Sequence, residues 1–498
     1  MTDPPGSGPD ADQDPAAQPK LSTLLAERRG KLERLRAAGV DPFPHSFAGV
    51  VPIERVHAAH ADLAPGAESQ QRYRVAGRLA ARRGQGKAAF IDLVDRSGRL
   101  QLHARVDVLG ADPFAQLLSL DLGDIIGVDG EAFRSRRGEL SLKVESFTLL
   151  AKSLRPPPEK HHGLQDAETR LRQRELDLVG NEESRDLFAA RARVIAAVRR
   201  YLEDESFIEV ETPVLQPLYG GALARPFTTH HHALDRKLYL RVATELYLKR
   251  CIVGGLERVY ELGKDFRNEG LSTKHSPEFT MLEFYEAYAD YGDMAARCEA
   301  LVAAAAQAVD YEGPLDFTPP WRRTTLAEAI EKYTHVDVLA NRDRDSLAEA
   351  IRRAGIEPAP DRTWAQLVDD LLSKHVEPAL EQPTFVFDYP VELSPFAKRH
   401  REVDGLVERF EAFAGGIEFA NAFSELNDPD EQRARFEAQR VDAAAGDEEA
   451  QPYDESFIAA LELGMPPSGG IGIGIDRLVM LLTGRRSIRD VVLFPTLR

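Results

Sequence analysis

Two periodicities divide the chain. Between Tyr73 and Leu150, apolar and polar residues alternate in five short runs: YRVAGRL, AAFIDLVD, RLQLHARV, DIIGVDGEAF and ELSLKVESFTLL. A period of two is that of half-buried strands. With turn residues between the runs and a helical insert near residues 113–120, the order predicts a small five-stranded barrel of the OB type. Upstream, Leu21, Leu24, Leu25, Leu32 and Leu35 follow helical spacing until Gly39 and Pro42 end it. Residues 1–20 hold almost no apolar side chain and predict a disordered tail. Downstream, Arg155-Pro-Pro-Pro158 admits neither helix nor ladder and marks a boundary. An amphipathic helix through Leu187, Val194, Ile195, Val198 and Leu202 then leads to Phe207–Pro213, read as a strand stopped by its proline. Arg258–Leu262 and Glu278–Tyr285 read as the arms of a hairpin, residues 291–380 as mostly helical, Phe385–Pro390 as a strand, and Arg409–Glu425 as two strands about Gly415-Gly416. The expected class is α+β. Its expected parts are a tail (1–20), a helical segment (21–70), a barrel (71–155), a linker (156–180) and a second domain (181–498).

Composition narrows the classes. No apolar run approaches the roughly 18 residues of a membrane span and no secretory leader opens the chain, so a soluble cytoplasmic protein is expected. Cys251 and Cys298 are too few for a zinc site or a disulfide framework and are expected as buried thiols. The net charge of −18 excludes a generic nucleic-acid coat. Between Arg72 and Arg155, however, 15 Lys and Arg face 10 Asp and Glu, so a basic segment sits inside an acidic protein and permits a polyanion partner. Arg78, Phe90, Gln101, His103 and Arg105 offer the cations and rings that single-stranded nucleic acid needs, although Phe90 fits the barrel core as well.

The densest chemistry lies around the hairpin. If Glu278–Tyr285 is a strand, Phe279, Met281, Glu283 and Tyr285 share one face, and a buried strand has no structural use for the Glu283 carboxylate. Arg267 and Glu269 project where the first arm runs out. An arginine there suits a carboxylate or phosphate, though an edge hairpin with an internal Arg–Glu pair fits the same residues. Gly220-Gly221 opens a loop, and Glu245 sits in a first helical turn. Glu411 and Glu418 bracket a Gly-Gly turn and pair as carboxylates that hold Mg²⁺ do, or as two solvated turns. Asn421, Phe423 and Glu425 share a strand face. At the C-terminus a glycine-rich strand, Gly469–Ile475, enters a helix that carries Arg477 in its first turn. The frame fails G-x-G-x-x-G, no P-loop occurs, and His230, His231 and His232 in a row lack metal-ligand spacing.

Three of these segments together resemble the signature motifs of the class II aminoacyl-tRNA synthetases: the strand ending at Pro213, FRNEG (Phe266–Gly270) and GIGIDR (Gly472–Arg477). GGALARPF, ELYLKR, FRNEGLSTKHSPEF, NAFSELND and GIGIDRLVMLL extend the resemblance to the lysyl-tRNA synthetase family from Leu21 to Arg498. The resemblance implies an antiparallel catalytic sheet flanked by helices, an anticodon-binding OB barrel using Arg78, Phe90 and Gln101, and a homodimer built partly through the first motif. It implies activation of L-lysine by ATP with Mg²⁺ and transfer to tRNA(Lys). A protein side chain is the alternative acceptor, against which the basic barrel-like segment argues. Carried onto matching residues, it implies that Arg267 bridges the lysine carboxylate and the ATP α-phosphate. Phe279 stacks on adenine, Glu269 reads its amino group, and His275 and Arg477 hold the distal phosphates. Glu411 and Glu418 hold Mg²⁺, and Gly221 and Glu245 take the lysine α-amino group. Glu283, Tyr285, Asn421, Phe423 and Glu425 shape the side-chain pocket, with Glu425 and Tyr285 nearest the ε-ammonium. Ala422 stands where the family pattern has glycine and is expected to point away from that pocket.

Overall fold

The computed structural model describes residues 17–84, 86–158, 164, 166–444 and 451–497. The expected tail over 1–16 and most of 159–165 in the expected linker lie outside the described residues. The first helix, Ala17–Ala37, begins inside the span expected as tail. The chain forms two compact units, one reaching Asp166 and taking in Glu175–Glu182, the other made of Ala167–Arg174 and Glu183–Arg498.

In the first unit β1 (Glu68–Arg83), β2 (Ala88–Val94), β3 (Arg99–Arg105), β4 (Ile125–Arg134) and β5 (Leu140–Ala151) close into a barrel in the order β1-β2-β3-β5-β4. The alternation read from the sequence is the reason it closes. Val75, Leu79, Ile91, Leu93, Leu100, Leu102, Ile126, Val128, Leu142 and Val144 are buried together, alternating for the most part with less buried residues. The helix Ala111–Ser119 follows β3 and adds Phe114 and Leu117 to that core.

In the second unit β6 (Ile208–Glu209), β10 (Arg258–Phe266), β11 (Glu278–Ala287), β12 (Arg322–Thr325), β13 (Thr384–Pro390), β14 (Leu406–Ala414), β15 (Ile417–Ser424) and β16 (Ser468–Gly474) form one sheet. Its order is β12-β13-β14-β15-β16-β11-β10-β6. Every interior pairing is antiparallel, and only the two outermost, β6 with β10 and β12 with β13, are parallel. Three further strands, β7 (Leu215–Gln216), β8 (Thr228–His231) and β9 (Arg236–Leu240), make a small separate sheet. The expected strand Phe207–Pro213 shrinks to the two residues of β6. After one more backbone bond, Val210 N–H to Tyr260 O, the chain turns at Pro213, which has no N–H to continue the ladder. The β14–β15 turn is the Gly-Gly pair, with φ of 58° at Gly415 and 68° at Gly416, as a two-residue hairpin loop requires.

One face of the large sheet is covered by the helices Glu182–Asp204, Tyr291–Ala308 and Ile475–Thr483. Val194, Val198, Met294, Leu301, Leu478 and Val479 meet Leu282, Phe284, Ala422 and Ile473 in the main core. Ala422 is therefore in the core and faces away from the opposite side of the sheet, where the site lies. Cys298 is buried and Cys251 half-buried, both as free thiols. Among the described residues no helix is long and apolar enough to cross a membrane.

Candidate active site

The open face of the sheet holds a cavity of about 460 Å³. Its floor follows from register. Gly470, Gly472 and Gly474 of β16 lie opposite Tyr285, Glu283 and Met281 of β11, and Gly470 and Gly472 lie opposite Phe423 and Asn421 of β15. A strand without side chains thus runs between two that supply them, and its alternate glycines open the space. A Cβ added at Gly470 would fall inside the contact radius of the Tyr285 ring and of Glu425 Oε1. Phe279, Met281, Glu283 and Tyr285 all line this space, as the period-two reading expected.

One end is built for anions. Arg267, just past β10, lies 5.1 Å from the Phe279 ring centre, and its Nε donates to Val242 O at 3.5 Å. Glu269 lines the cavity beside it. Arg477 donates to Glu418 Oε2 at 2.9 Å and lies 3.2 Å from His275 Nε2. Burial first, and then the Arg477 charge, lower the His275 pKa, so the ring is neutral near pH 7. Because a guanidinium only donates, Nε2 is the acceptor and the proton sits on Nδ1, facing Ser272 Oγ at 2.8 Å. Glu411 meets Arg409 Nη2 at 2.6 Å and accepts from the Tyr389 hydroxyl at 2.9 Å. Burial pushes its carboxyl up to about 7, Arg409 pulling it down and Glu418 and Asp369 adding to the rise. Arg409 was missed by the sequence reading. It sits two residues before Glu411 on the same strand face, and it also donates to Asn421 Oδ1 at 3.1 Å and to Leu393 O at 2.8 Å.

The other end is built for cations. Gly221 holds φ of 91°, where a side chain is strained, and its N–H donates to Gln451 Oε1 at 3.1 Å beside Glu245. Glu245 opens the helix Glu245–Val253, and Lys249, one turn on, reaches back between two carboxylates. Its Nζ lies 2.6 Å from Glu245 Oε1 and 2.5 Å from Glu425 Oε2. The Phe396 ring centre is 5.2 Å away. All three charged groups are buried. Burial works against the Lys249 ammonium, but Glu245 and Glu425 outweigh it and hold its pKa above the ordinary lysine value. Glu283 has no such partner: it accepts from Thr244 N–H at 3.2 Å and from the Tyr285 hydroxyl at 3.4 Å. Among the described residues no Lys or Arg pairs with it, and burial, reinforced by Asp265 and Glu245, pushes its carboxyl up to about 8. Glu425 Oε1 accepts no hydrogen bond among the described residues.

Of the residues to which the family resemblance assigns substrate or metal contacts in this unit, all but Glu425 line the cavity, and Glu425 lies against it behind Gly470. His230, His231 and His232 are exposed on and after β8, away from it. On the barrel, Phe90 is 36% exposed and stacks on His103 with ring centres 4.6 Å apart and an interplanar angle of 7°, so it belongs to the outer surface and not to the core. Gln101 accepts from Ser141 Oγ at 3.0 Å, Arg78 donates to Gly123 O at 2.8 Å, and Arg105 pairs with Asp107.

Residues 166–498 match the family model described as tRNA synthetases class II (D, K and N), and residues 73–150 match an OB-fold nucleic acid binding domain. The chain is 53% identical to a lysine–tRNA ligase of Moorella thermoacetica over 95% of its own length and 98% of the relative's. It is 52% identical to one of Synechococcus sp. (strain CC9311), over 96% of this chain and 99% of the relative. A third, from Prochlorococcus marinus, is 50% identical over 96% and 97%. The glycine floor between two functional strands, the arginines at one end and the match over two-thirds of the length agree: the chain belongs to the class II tRNA synthetases of the D, K and N group.

Proposed function

We propose that the protein is a lysine–tRNA ligase, which activates L-lysine with ATP and passes it to the 3′-terminal adenosine of tRNA(Lys). The observation that carries this reading is the cation end of the cavity, where, among the described residues, Glu283 pairs with no Lys or Arg and Glu425 Oε1 accepts no hydrogen bond. Buried carboxylates in that condition call for a positively charged substrate group. Lysine would place its ε-ammonium toward Glu425, Glu283 and Tyr285, with Asn421 and Phe423 shaping the walls. Its α-ammonium lies toward Gly221 and Glu245, and its carboxylate toward Arg267.

ATP occupies the other end, adenine on Phe279 with Glu269 at its amino group, and distal phosphates at His275 and Arg477. The reaction then needs positioning more than a protein nucleophile. A lysine carboxylate oxygen attacks the α-phosphorus, the bond to the bridging oxygen breaks, and pyrophosphate leaves. Arg267 spans both reactants, so it holds them in line and offsets charge as it builds. The terminal adenosine hydroxyl then attacks the lysyl carbonyl and AMP departs. Glu411 and Glu418 suit a divalent cation. Glu411 is raised to about 7 by burial and by neighbouring carboxylates, a repulsion that a cation relieves. Among the described residues no cluster of three ligand side chains stands together, so Glu411 and Glu418 would hold the ion together with groups from outside the protein. When bound there, Mg²⁺ would neutralise charge on the polyphosphate.

Arg78, Phe90 and Gln101 are the proposed anticodon contacts, supported by the exposed Phe90 ring and the basic segment around it. A homodimer is supported by Ile208, Val214 and Leu215, which stand exposed around Pro213. The cytoplasm is the proposed compartment.

Pyrophosphate exchange across all amino acids, followed by charging of tRNA(Lys), tests the reading. Exchange with lysine followed by charging is expected. Glu425→Gln is expected to raise the lysine KM at least about tenfold, since an ammonium loses its charged partner, with the ATP KM nearly intact; an unchanged lysine KM would sink the assignment. The second expectation concerns pH. Glu283, titrating at about 8 in the free protein, must ionise to receive an ammonium that keeps its own proton past pH 10. Asp265, Glu245 and the Tyr285 hydroxyl face it from β10, the Glu245 helix and β11, and the two carboxylates push it up. Lysine affinity is therefore expected to rise from pH 6.5 to 8.5. Calorimetric titration at both values decides the point, and a flat profile contradicts it.

A further inference from the structure

Resting on the lysine–tRNA ligase reading, we infer that Lys249 is a positioning residue for substrate lysine, a resident cation that bridges Glu245 and Glu425 and aims both before substrate arrives. The geometry is specific. Lys249 Nζ bridges Oε1 of Glu245 and Oε2 of Glu425, carboxylates on a helix and at a strand end 180 positions apart in the chain. It is buried and backed by Phe396, so neither water nor a surface counter-ion substitutes for it.

The charge count gives the bridge its meaning. With all three ionised, as bound lysine requires, Glu245, Glu283 and Glu425 carry three negatives in one buried volume, and Lys249 offsets one. Two remain, and the amino acid lysine brings two ammonium groups, its carboxylate facing Arg267. A substrate with a neutral side chain would leave one buried negative without a partner. Oε2 of Glu425 forms an ion pair with Lys249 Nζ at 2.5 Å, while Oε1, which accepts no hydrogen bond among the described residues, stands beside the Tyr285 ring. Burial already pushes Glu425 up to about 8, with Lys249 pulling it down and Glu245 adding to the rise, so loss of Lys249 moves it further up.

The test uses the full-length enzyme in lysine-dependent pyrophosphate exchange. The parent is measured first: no exchange there defeats the lysine–tRNA ligase reading itself. Given an active parent, Lys249→Met is expected to raise the lysine KM at least about 30-fold with the ATP KM within about twofold. The pH at which lysine kcat/KM reaches half its maximum is expected to move up by about one unit or more, because two neighbouring carboxylates lose their resident cation. Equal rises in both KM values with an unmoved pH profile would mark a merely structural lysine and overturn the inference, as would a lysine KM within threefold of the parent. Lys249→Arg carries the test if the methionine variant does not fold, since it keeps the buried charge and displaces it. The wider, planar guanidinium does not fit the fully buried space of the compact ammonium without pushing the two carboxylates off their positions. The lysine KM is then expected to rise at least about fivefold with ATP unaffected, and a parent-like lysine KM overturns the inference.

Discussion

Replacing Arg267 by alanine is expected to slow lysyl-adenylate formation by about 10³-fold or more, the scale found when one positioned cation is removed from a phosphoryl-transfer site. In the proposed complex Arg267 touches both reactants, so its loss removes the in-line alignment as well as the charge. The fold should barely register the change. In the free protein the guanidinium makes one long hydrogen bond, 3.5 Å to Val242 O, and lies over Phe279 at the cavity rim. Single-turnover adenylate formation, with thermal unfolding as control, checks both halves. A rate within tenfold of the parent, in a protein that melts normally, would remove Arg267 from the mechanism.

The second large effect is on stability. Arg241, buried at the end of the small sheet, pairs with Glu261 and, through Nε at 3.0 Å, with Asp265; the same Nε donates to Lys264 O at 2.9 Å. Arg241→Met removes the one cation paired with both buried acids among the described residues, leaving Asp265 only the more distant charge of Arg267. Breaking one side of such a network costs about 3–5 kcal/mol, whereas replacing the whole network by apolar groups often costs nothing. The variant is expected to melt roughly 6–20 °C lower, taking about 2–4 °C per kcal/mol, the scale for domains of about 150–250 residues. Asp265 sits near 6, raised by burial and held down by Arg241 and Arg267. Without Arg241 it moves further up. Since a carboxyl with a raised folded pKa gives stability that fades as pH climbs from its unfolded value toward its folded one, the deficit should be larger at pH 8 than at pH 5. Melting curves at the two values measure this, and equal deficits would contradict it. The same arginine steadies the site, because its carbonyl accepts from Phe266 N–H, one residue before Arg267.

The sequence carried much of this through local rules. Alternation located the barrel strands, and Glu283 drew notice as a carboxylate with no place in a buried strand. The glycine spacing of β16 was visible, but its use was not: that it separates β11 from β15 depends on pairing residues about 190 and 50 positions apart. Lys249 and Arg409 had signals, Glu245 to Lys249 at helical i,i+4 and Arg409 to Glu411 at strand i,i+2. Each reads equally well as a solvated surface pair, and only burial distinguishes the two. Strand alternation presents Glu425 as an acceptor for substrate, and only the fold shows one of its oxygens paired with Lys249. The strand β12 and the brevity of β6 were not legible either, since two-to-four-residue edge strands carry too few positions to show a period.

The two faces of the sheet have an evolutionary consequence. Along β11, Leu282 and Phe284 pack into the core while their neighbours Met281, Glu283 and Tyr285 face the ligand space, and along β15 Ala422 lies in the core between Asn421 and Phe423. What an enzyme of this architecture selects is therefore written at every second position, and what keeps it folded at the positions between. A point mutation can reassign the substrate's charge without disturbing the packing beneath it. One scaffold can thus pass among acidic, amide and basic amino acids by small heritable steps, as a family spanning D, K and N requires.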